Sequence, residues 1–554
     1  MDQVNRDDFS DSPRRPLMQP ASATGTFGDD CHRSSFLDSG VENFDKGAVS
    51  RALAFLGLGI SITFGVVCLA GGYYASSHAR HHPDPDPSTY QFGWTMDDHS
   101  MEREYIGLAL NILVTICTEA IGFVHSVSLR TTLVEEKRLH FATNLRLLTA
   151  ARGNFGNGTI MNMIMAFLLV TSYASSSMII LQSTWNEKAQ QPTTQTALAI
   201  WPIPLIILGV VLLLQSIIAI AGILAIPTGI HTWSRSQLDL TAAAIHHRVI
   251  YHRPGNCLRS VCDQHRPDGS PPIQPASHQP SPWNSHPRVQ KVIWFIWVLW
   301  PVYFISGAVI IQLTRPAPSF KGLSWSFPPS PHTSYTYSWY PTTSNSTGGV
   351  IVAFIMVIIA QSPLTMVLHG CEIITSIVRD EKAWQQASSS GALMSSSPVT
   401  IAKDFMSHPG AGFAAWWPTI CLLMVKPFFP RNHAYDGLDW TFGLAFESSG
   451  IIVVVRPEQF FYLAIFMAIF TCIIFLLAYH SPKSLQPAAY GHLETLADLI
   501  DFWPARDGKM FWGDKSIMMG IPYNEVGHAG TYHKPLPLVQ IHRRYAGHKL
   551  QRLD

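Results

Sequence analysis

Long apolar runs separated by short polar segments dominate the hydropathy pattern of this chain. A helix rises about 1.5 Å per residue, so roughly 20 apolar residues cross a hydrocarbon core of about 30 Å. Runs of this length occur near 50–76, 104–129, 158–182, 199–226, 289–313, 348–368 and 458–479, with a weaker one at 411–429. The pattern predicts an all-α fold, a polytopic transmembrane helical bundle that occupies residues 49–480.

The weaker run decides between seven and eight spans. Lys and Arg accumulate in short loops on the cytoplasmic side of a membrane. In an eight-span arrangement, the segments on one side carry five, five, six, three and nine Lys and Arg residues, and those on the other carry two, one, two and two. This alternation requires 411–429 to cross. We therefore predict about eight spans with both termini cytoplasmic, in the plasma membrane by default and with an endomembrane as the alternative.

Two polar segments are predicted to be disordered. Residues 1–48 are rich in Asp, Ser, Arg, Pro and Gly and lack apolar clusters, which is typical of a disordered cytoplasmic segment. Residues 254–287 are rich in Pro, Ser and His, which is typical of a cytoplasmic linker without a packed core.

The cytoplasmic tail, residues 481–554, contains one periodic stretch. Apolar residues recur there at helical spacing, at Leu493, Leu496, Ile500 and Trp503. Acidic residues lie opposite them, at Glu494, Asp498 and Asp501. The pattern predicts an amphipathic tail helix, and its acidic face favours packing on the protein's own loops over anionic lipid.

Composition supports a membrane protein and argues against one class of partner. The chain has 554 residues, of which 47% are hydrophobic and 14% are charged, whereas soluble domains carry about 25% charge. A formal net charge of +1 argues against a nucleic-acid partner, which requires a basic surface. The eight Cys are scattered and suggest no disulfide framework. The lipid bilayer is the predicted partner, together with cytoplasmic proteins that contact the tail and loops.

Ionisable residues inside the apolar runs are the candidate functional sites. Glu119 and His125 lie in the second run, and a charged group in a span is a functional-site hypothesis by default. Glu119 has two interpretations: a proton or cation site, or a structural Glu that joins its helix to neighbours through Asn162 or Gln215. His369 and Glu372 lie one helical turn apart at the end of the sixth run, where they pair in an ion pathway or simply meet water.

Other site patterns are weaker. His252, Cys257, Cys262 and His265 form H-x4-C-x4-C-x2-H, but zinc sites prefer shorter spacing between close ligands. No phosphate-binding loop, nucleophile elbow or H-E-x-x-H pattern occurs in its required context. We therefore predict no metal, no cofactor and no catalytic residue. The sequon Asn345-Ser346-Thr347 falls in a predicted outer loop and is a candidate glycosylation site.

The ends of the second and sixth runs resemble each other. Each carries a His, His125 or His369, followed about three turns later by a cluster of acidic and basic residues. The clusters are Glu135-Glu136-Lys137 and Asp380-Glu381-Lys382. Equivalent positions four spans apart are typical of a parallel internal repeat, and chance similarity is the alternative.

Several motifs together resemble a group of uncharacterised fungal multi-pass membrane proteins. They are S-L-R-T-T-L-V-E-E-K-R-L-H-F after the second run, L-H-G-C-E-I-I-T-S-I-V-R-D-E-K-A-W at 368–384, G-H-L-E-T-L-A-D-L-I-D at 491–501, W-G-D-K at 512–515 and H-A-G-T at 528–531. The similarity runs from about 100 to 531, and the tail motifs are its most specific part. It implies membership and topology but no activity. The W-G-D-K and H-A-G-T segments by themselves are interpreted as turns.

Two functions from different classes follow. The first is a non-enzymatic membrane scaffold or receptor-like component that acts through its cytoplasmic tail and loops. The alternative is a secondary transporter or channel, with a proton- or cation-linked pathway through Glu119 and the His369/Glu372 pair. An enzyme is the least favoured, because no nucleophile–base pair or metal-ligand set occurs.

Overall fold

The fold is known from a computed structural model, which describes only part of the chain. The described residues are 44–79, 94–96, 100–142, 149–186, 191–265, 272–314, 337–339, 347–394, 442–447, 450–455, 457–504 and 508–546. The predicted disordered segment 1–48 is therefore described only from Phe44 onward. The glycosylation candidate Asn345 and the predicted span at 411–429 lie outside the described residues.

The described chain is mostly helical, as predicted. Seven of its helices are long and apolar enough to cross a membrane. They are α1 (Ala48–Ala79), α2 (Ser100–Glu135), α3 (Thr159–Met178), α4 (Pro202–Leu224), α7 (Pro287–Thr314), α8 (Thr347–Gln385) and α9 (Pro457–Tyr479). The polytopic helical bundle is confirmed. The short helices are α5 (Gln237–His246), α6 (Pro282–Ser285) and, in the tail, α10 (Leu493–Leu499).

Helices α1 to α4 pack around one apolar core, and glycines allow α1 and α4 to approach closely. A Cβ atom added to Gly209 of α4 would lie 2.7 Å from the carbonyl oxygen of Gly65 in α1. One added to Gly72 of α1 would lie 2.5 Å from Cγ1 of Ile206. Small residues permit such backbone approach between membrane helices, where van der Waals packing replaces the hydrophobic effect.

Helices α7, α8 and α9 share a second core. Pro363 interrupts the hydrogen-bond ladder of α8, because proline has no backbone N–H. Beside it, the hydroxyl of Tyr303 from α7 donates to the carbonyl of Ala360 at 2.6 Å and accepts from the Leu364 N–H at 3.2 Å. The Tyr303 side chain thus supplies α8 with hydrogen bonds at its weakened turn.

A six-stranded sheet lies at one end of the bundle, which we call the sheet end. Its strands are β1 (Trp94–Met96), β2 (Ile180–Asn186), β3 (Gln191–Ile200), β4 (Tyr337–Trp339), β6 (Phe442–Glu447) and β7 (Gly450–Val455). Their order is β1-β3-β2-β6-β7-β4, with β2 and β6 parallel and the other pairs antiparallel. The hydropathy pattern did not predict these strands, because they adjoin much longer apolar helices.

The opposite end, which we call the tail end, carries a folded unit that we call the platform. One hydrophobic core joins residues of five regions: the segment before α1, α5 with the chain that follows it, the end of α8, the tail helix and the last strands. A three-stranded sheet, β5 (Ala392–Leu393), β8 (Lys509–Asp514) and β9 (Ala529–Tyr532), belongs to it. The W-G-D-K and H-A-G-T segments, interpreted above as turns, therefore contribute mainly to paired strands.

The predicted tail helix is present, and its apolar residues are buried as predicted. It covers Leu493–Leu499, and the chain continues without helical structure through Ile500 and Trp503, which are also buried. Much of the segment predicted as a disordered linker, 254–287, packs against this tail. Cys257, Leu258 and Val261 are buried, and the Tyr545 N–H donates to the Ile273 carbonyl at 2.8 Å. Its Pro-rich composition does not prevent packing, because buried apolar residues are interspersed among the polar ones.

Candidate functional site

The predicted site residues of α2 are placed differently from one another. Glu119 is half-buried, whereas His125 is almost completely buried. The Nε2 atom of His125 lies 2.9 Å from Oδ1 of Asn162 in α3, and Asn162 Nδ2 donates to the Thr149 carbonyl at 2.8 Å. Asn162 was considered as a partner of Glu119, but this hydrogen bond places it on His125. The pair therefore joins α2 to α3 and to the chain that precedes α3.

The predicted pair at the end of the sixth run is in contact. Nδ1 of His369 lies 3.3 Å from Oε2 of Glu372, and the His side chain is 7% exposed against 36% for the Glu. Both residues lie on α8, which packs in the second core, whereas Glu119 and His125 lie on α2, which packs in the first. The residues proposed for one ion pathway thus lie in two different helix groups.

One extensively connected site among the described residues was not among the predicted ones. It is Asp501, which follows the tail helix and accepts hydrogen bonds from two segments of the last sheet. Its Oδ2 lies 2.7 Å from Nζ of Lys515 and 2.8 Å from Nε2 of His528. Its Oδ1 accepts the Thr531 backbone N–H at 2.7 Å. The D-L-I-D, W-G-D-K and H-A-G-T motifs therefore meet at a single carboxylate.

The electrostatics of Asp501 follow from these contacts. Burial alone would raise the pKa of the Asp501 carboxyl, but the His528 hydrogen bond and the Lys515 charge lower it well below its usual range. The carboxylate is therefore ionised at neutral pH and matched by a cationic partner. The Asp501–Lys515 ion pair is a charge-assisted hydrogen bond, and both of its side chains are only about one-tenth exposed to solvent.

Close backbone approach explains the glycine in H-A-G-T. A Cβ atom added to Gly530 would lie 2.6 Å from both carboxylate oxygens of Asp501. Gly530 pairs with Gly513 of W-G-D-K in the antiparallel register of β8 and β9. A Cβ on Gly513 would lie 2.4 Å from the Pro537 carbonyl oxygen. Both motif glycines thus occupy positions where a side chain would displace the neighbouring chain.

A second buried carboxylate, Asp514, holds the last part of the described chain. Its Oδ2 accepts from Arg543 Nη1 at 3.2 Å and from the Tyr545 hydroxyl at 2.8 Å. Its Oδ1 accepts the Ser516 N–H at 2.8 Å. Arg543 also donates to the Pro522 carbonyl at 2.8 Å. The segments around 514, 522 and 543 are therefore fixed relative to one another.

The acidic face of the tail helix contacts the loop after α5. Asp498 accepts from the Arg253 side chain, with Nη2 3.0 Å from Oδ2, and from Asn256 Nδ2 at 3.1 Å. Glu494 lies 3.2 Å from the same guanidinium. Although burial acts in the opposite direction, the Asp498 and Glu494 carboxylates raise the pKa of Arg253. The predicted packing of this helix against the protein's own loops thus has an ionic component.

Equivalent glutamates in the two similar helix ends make equivalent contacts. Oε1 of Glu136, directly after α2, accepts the consecutive N–H groups of Arg152 and Gly153, each at 2.7 Å. Oε2 of Glu381, near the end of α8, accepts those of Ala489 and Tyr490 at 2.9 and 2.7 Å. Each glutamate thereby fixes a separate backbone segment beneath the bundle, as expected if the helix ends are repeats.

The segment before α1 is joined to the platform by Asp239 of α5. Its carboxylate accepts the Asp45 N–H at 3.0 Å and the Ser234 hydroxyl at 2.6 Å.

The residues of the weak metal pattern have other contacts. His252 Nδ1 lies 2.7 Å from the Ala497 carbonyl, and Cys262 donates to the Asn284 carbonyl at 3.1 Å. Among the described residues, no group of His, Cys, Asp and Glu is arranged to hold a metal ion.

The surface of the platform carries large apolar side chains that are exposed. Ile517, Met518, Tyr523 and Val526 are exposed between β8 and β9, and Leu538 and Ile541 are exposed in the neighbouring segment. These two segments touch, because the Arg543 guanidinium lies 5.3 Å from the centre of the Tyr523 ring. We call these six residues the apolar surface. Large apolar surface residues that are grouped in this way mark interaction sites more often than isolated ones do.

The residue types of the tail motifs indicate the Asp501 site, although the hydropathy pattern does not. W-G-D-K and H-A-G-T each combine a Gly with polar residues at short spacing, and D-L-I-D supplies the carboxylate, a composition typical of close backbone contacts and buried polar pairs rather than of a solvated tail. Comparisons of the chain with protein-family models, with curated proteins and with solved structures found no match. The chain is a multi-pass membrane protein by the length and composition of its helices.

Proposed function

We propose that this protein is a non-enzymatic membrane scaffold or receptor-like component that binds a cytoplasmic protein through the platform. The observation that carries the proposal is the apolar surface, exposed on a unit whose polar interior is extensively hydrogen-bonded. The buried carboxylates of Asp501 and Asp514 fix the two segments that present it. A pre-formed surface binds with less loss of conformational entropy than a mobile tail would.

The proposed orientation has the platform in the cytoplasm. Its support is the excess of Lys and Arg in the segments of the tail end. We also propose that 411–429 forms an eighth span. In support, β5, which pairs with β8, lies at the tail end, whereas β6, which pairs with β2, lies at the sheet end. The tail motifs further support membership of the fungal group that they resemble.

Site-specific photo-crosslinking tests the proposed binding surface. A photoreactive amino acid replaces Tyr523 of the apolar surface, and in a parallel variant Tyr251, which is exposed elsewhere at the tail end. We expect discrete protein adducts from position 523 in intact cells, and their loss on adding Ile517→Asp and Met518→Asp. The adducts at position 251 should not respond to those substitutions. Position 523 yielding no protein adduct, or adducts indifferent to both substitutions, would contradict the proposal.

The second candidate function is proton- or cation-linked transport, and the contact between His369 and Glu372 favours it. Replacing Glu119 by Gln distinguishes the two functions. A transporter would lose pH-dependent flux into sealed vesicles while its thermal stability stayed unchanged, and Glu372→Gln would act in the same way. A scaffold would retain the crosslinks at position 523 in both variants. Glu494→Gln, at the platform surface, is the matched control for loss of a carboxylate.

A further inference from the structure

Exposed cationic residues lie where α1 begins, at the tail end of the first helix group. Lys46 precedes α1, Arg51 lies in its first turn, and Arg235 lies in the segment between α4 and α5. All three are exposed, and we call them the cationic cluster. The two chain segments that carry them are in contact, because the Trp233 N–H donates to the Lys46 carbonyl at 3.0 Å.

Backbone contacts bring the two arginines of the cluster to the same part of the protein. The Arg51 N–H donates to the Gly47 carbonyl at 2.8 Å, so Arg51 lies one helical turn beyond Gly47. Gly47 in turn approaches Ser234, since a Cβ atom added to it would lie 2.6 Å from the Ser234 nitrogen. Arg235 directly follows Ser234. Both arginines are thus attached to backbone segments that touch.

Aromatic rings lie between the two arginines. Phe55 follows Arg51 by one turn on the same face of α1, and its ring centroid is 5.3 Å from that of Trp233. The Trp233 ring is 6.5 Å from that of Phe123 in α2, and the Arg235 guanidinium lies 4.3 Å from the centre of the Phe123 ring. Aromatic and cationic side chains at the end of a span are typical of the level of lipid headgroups.

Helix α1 presents an apolar face directly beyond the cationic cluster. Leu53, Leu56 and Ile60 are 50%, 61% and 42% exposed on this candidate span. The span has 30 residues, or about 45 Å at 1.5 Å per residue, which matches a bilayer including its headgroups. Arg51 in the first turn is therefore at headgroup level, and the exposed face below it is at the level of the acyl chains.

The exposed charge at this position is positive, because the neighbouring carboxylates have partners within the protein. Asp45 and Asp239 are buried, and the Asp239 carboxylate accepts the Asp45 N–H and the Ser234 hydroxyl. Glu135 at the end of α2 accepts the Thr228 hydroxyl. Guanidinium groups bind phosphate through parallel charge-assisted hydrogen bonds, and a cation near a membrane surface contributes about 1 kcal/mol to the binding of anionic lipid.

We propose that the cationic cluster binds the phosphate of an anionic phospholipid in the leaflet at the tail end. Arg51 and Arg235 donate hydrogen bonds to the phosphate oxygens, and Lys46 adds positive charge. The acyl chains lie along the exposed face of α1. The site is separate from the apolar surface of the platform, and it does not depend on the function proposed above.

The test uses the full-length protein in phosphatidylcholine vesicles, with phosphatidic acid that carries a photoreactive acyl chain as the probe. We expect label in the α1 peptide that contains residues 53–60. Unlabelled phosphatidic acid should displace it, whereas additional phosphatidylcholine or inorganic phosphate should not. Arg51→Gln and Arg235→Gln should each weaken displacement about five-fold, which corresponds to about 1 kcal/mol. The double variant should lose the displaceable label.

Lys291→Gln is the matched control. Lys291 is an exposed cation near the start of α7, which is another candidate span, and Trp294 beside it is exposed on that helix. Its loss should leave the displacement unchanged. Without phosphatidic acid, every variant should keep the unfolding temperature of the unmodified protein. If Arg235→Gln does not fold, Arg51→Gln decides between binding and no binding.

Four results would overturn the proposal. The first is label of equal strength on α1 and α7 that phosphatidic acid does not displace. The second is displaceable label that persists unchanged in the double variant. Displacement by inorganic phosphate would assign the cluster to a soluble anion instead of a lipid. Equal weakening in Lys291→Gln and Arg51→Gln would show a general attraction of the cationic surface for the membrane and no specific site.

Discussion

Asp501 and Lys515 form an ion pair, with Oδ2 2.7 Å from Nζ and both side chains about one-tenth exposed. The pair joins the end of the tail helix to the end of β8, and His528 binds the same carboxylate oxygen from the start of β9. Three chain segments therefore depend on a single side chain. This relationship explains why a tail without a long apolar run folds as part of the platform.

Asp501→Asn should strongly destabilise the platform. It leaves the Lys515 ammonium buried without its counter-charge, and removing one partner of a buried pair typically costs roughly 3–5 kcal/mol. Pulse proteolysis of the detergent-solubilised protein in increasing urea measures the loss. Glu494→Gln removes a carboxylate that is 44% exposed, and it should have a small effect by comparison. Equal stability of the Asp501→Asn and unmodified proteins would contradict the proposed role of this residue.

Gly530→Ala should also destabilise the platform, in this case through a steric clash. The added Cβ would lie 2.6 Å from both Asp501 oxygens, so the carboxylate or β9 has to move. Overpacking of this kind costs about 1–3 kcal/mol. Urea-dependent proteolysis of the platform measures it, with Gly59→Ala as the control, since nothing lies within 4 Å of a Cβ there. Equal stability of the Gly530→Ala and Gly59→Ala proteins would contradict the close approach of Gly530 to the Asp501 carboxylate.

Gly209→Ala should loosen the packing of α1 against α4. Its Cβ would lie 2.7 Å from a backbone oxygen of α1 and 2.8 Å from Cγ of Leu69, so the two helices have to separate. We expect a lower thermal unfolding midpoint in detergent. Gly71→Ala is the matched control in α1, because its nearest contact would be an ordinary 3.6 Å. Indistinguishable midpoints for the two variants would contradict the close packing of α1 and α4.

The platform should lose stability as the pH falls through the range in which His231 and His247 titrate. Their rings are stacked, with centroids 4.0 Å apart. Burial and the His247 charge lower the pKa of His231, against the effect of Glu135, and burial, His246 and Lys46 lower that of His247. Folding thus favours the neutral rings, so the stabilisation is complete above the unfolded pKa of about 6.5 and is lost below it.

Thermal unfolding midpoints at about pH 7.5 and about pH 5.5 measure this dependence. The unmodified protein should lose more stability on acidification than His231→Asn does. His278→Asn, which removes an exposed histidine, should retain the dependence of the unmodified protein. If His231→Asn and the unmodified protein lose the same stability, the stacked pair does not contribute to it.

The sequence predicted the helices well, because an uninterrupted apolar run has few other stable structures in lipid. The second run was placed at 104–129, whereas α2 continues to Glu135. This extension is stabilised by tertiary packing, since Leu129 and Leu133 are buried against Ala151. The length of an apolar run reflects the thickness of the hydrocarbon core, and it contains no information about a contact that the helix makes beyond that core. The additional turns of α8, which continues to Gln385, have the same explanation.

The Asp501 site could not be predicted in the same way. Its partners lie 14, 27 and 30 residues further along the chain, and only the register of β8 against β9 brings them together. Strands of four to six residues give little periodic signal among polar turns. Asp501 itself was assigned to the acidic face of the predicted helix, which was expected to pack against the protein's own loops, but the helix ends at Leu499, before it.

Hydrogen–deuterium exchange of the unmodified and Asp501→Asn proteins tests the central claim most directly: one carboxylate holds the tail motifs together in a folded platform. We predict that protection falls together in residues 501–502, 509–516 and 527–532 of the variant, while α1 to α4 remain protected. Protection that is unchanged in these segments, or lost only at residues adjacent to position 501, would contradict the claim.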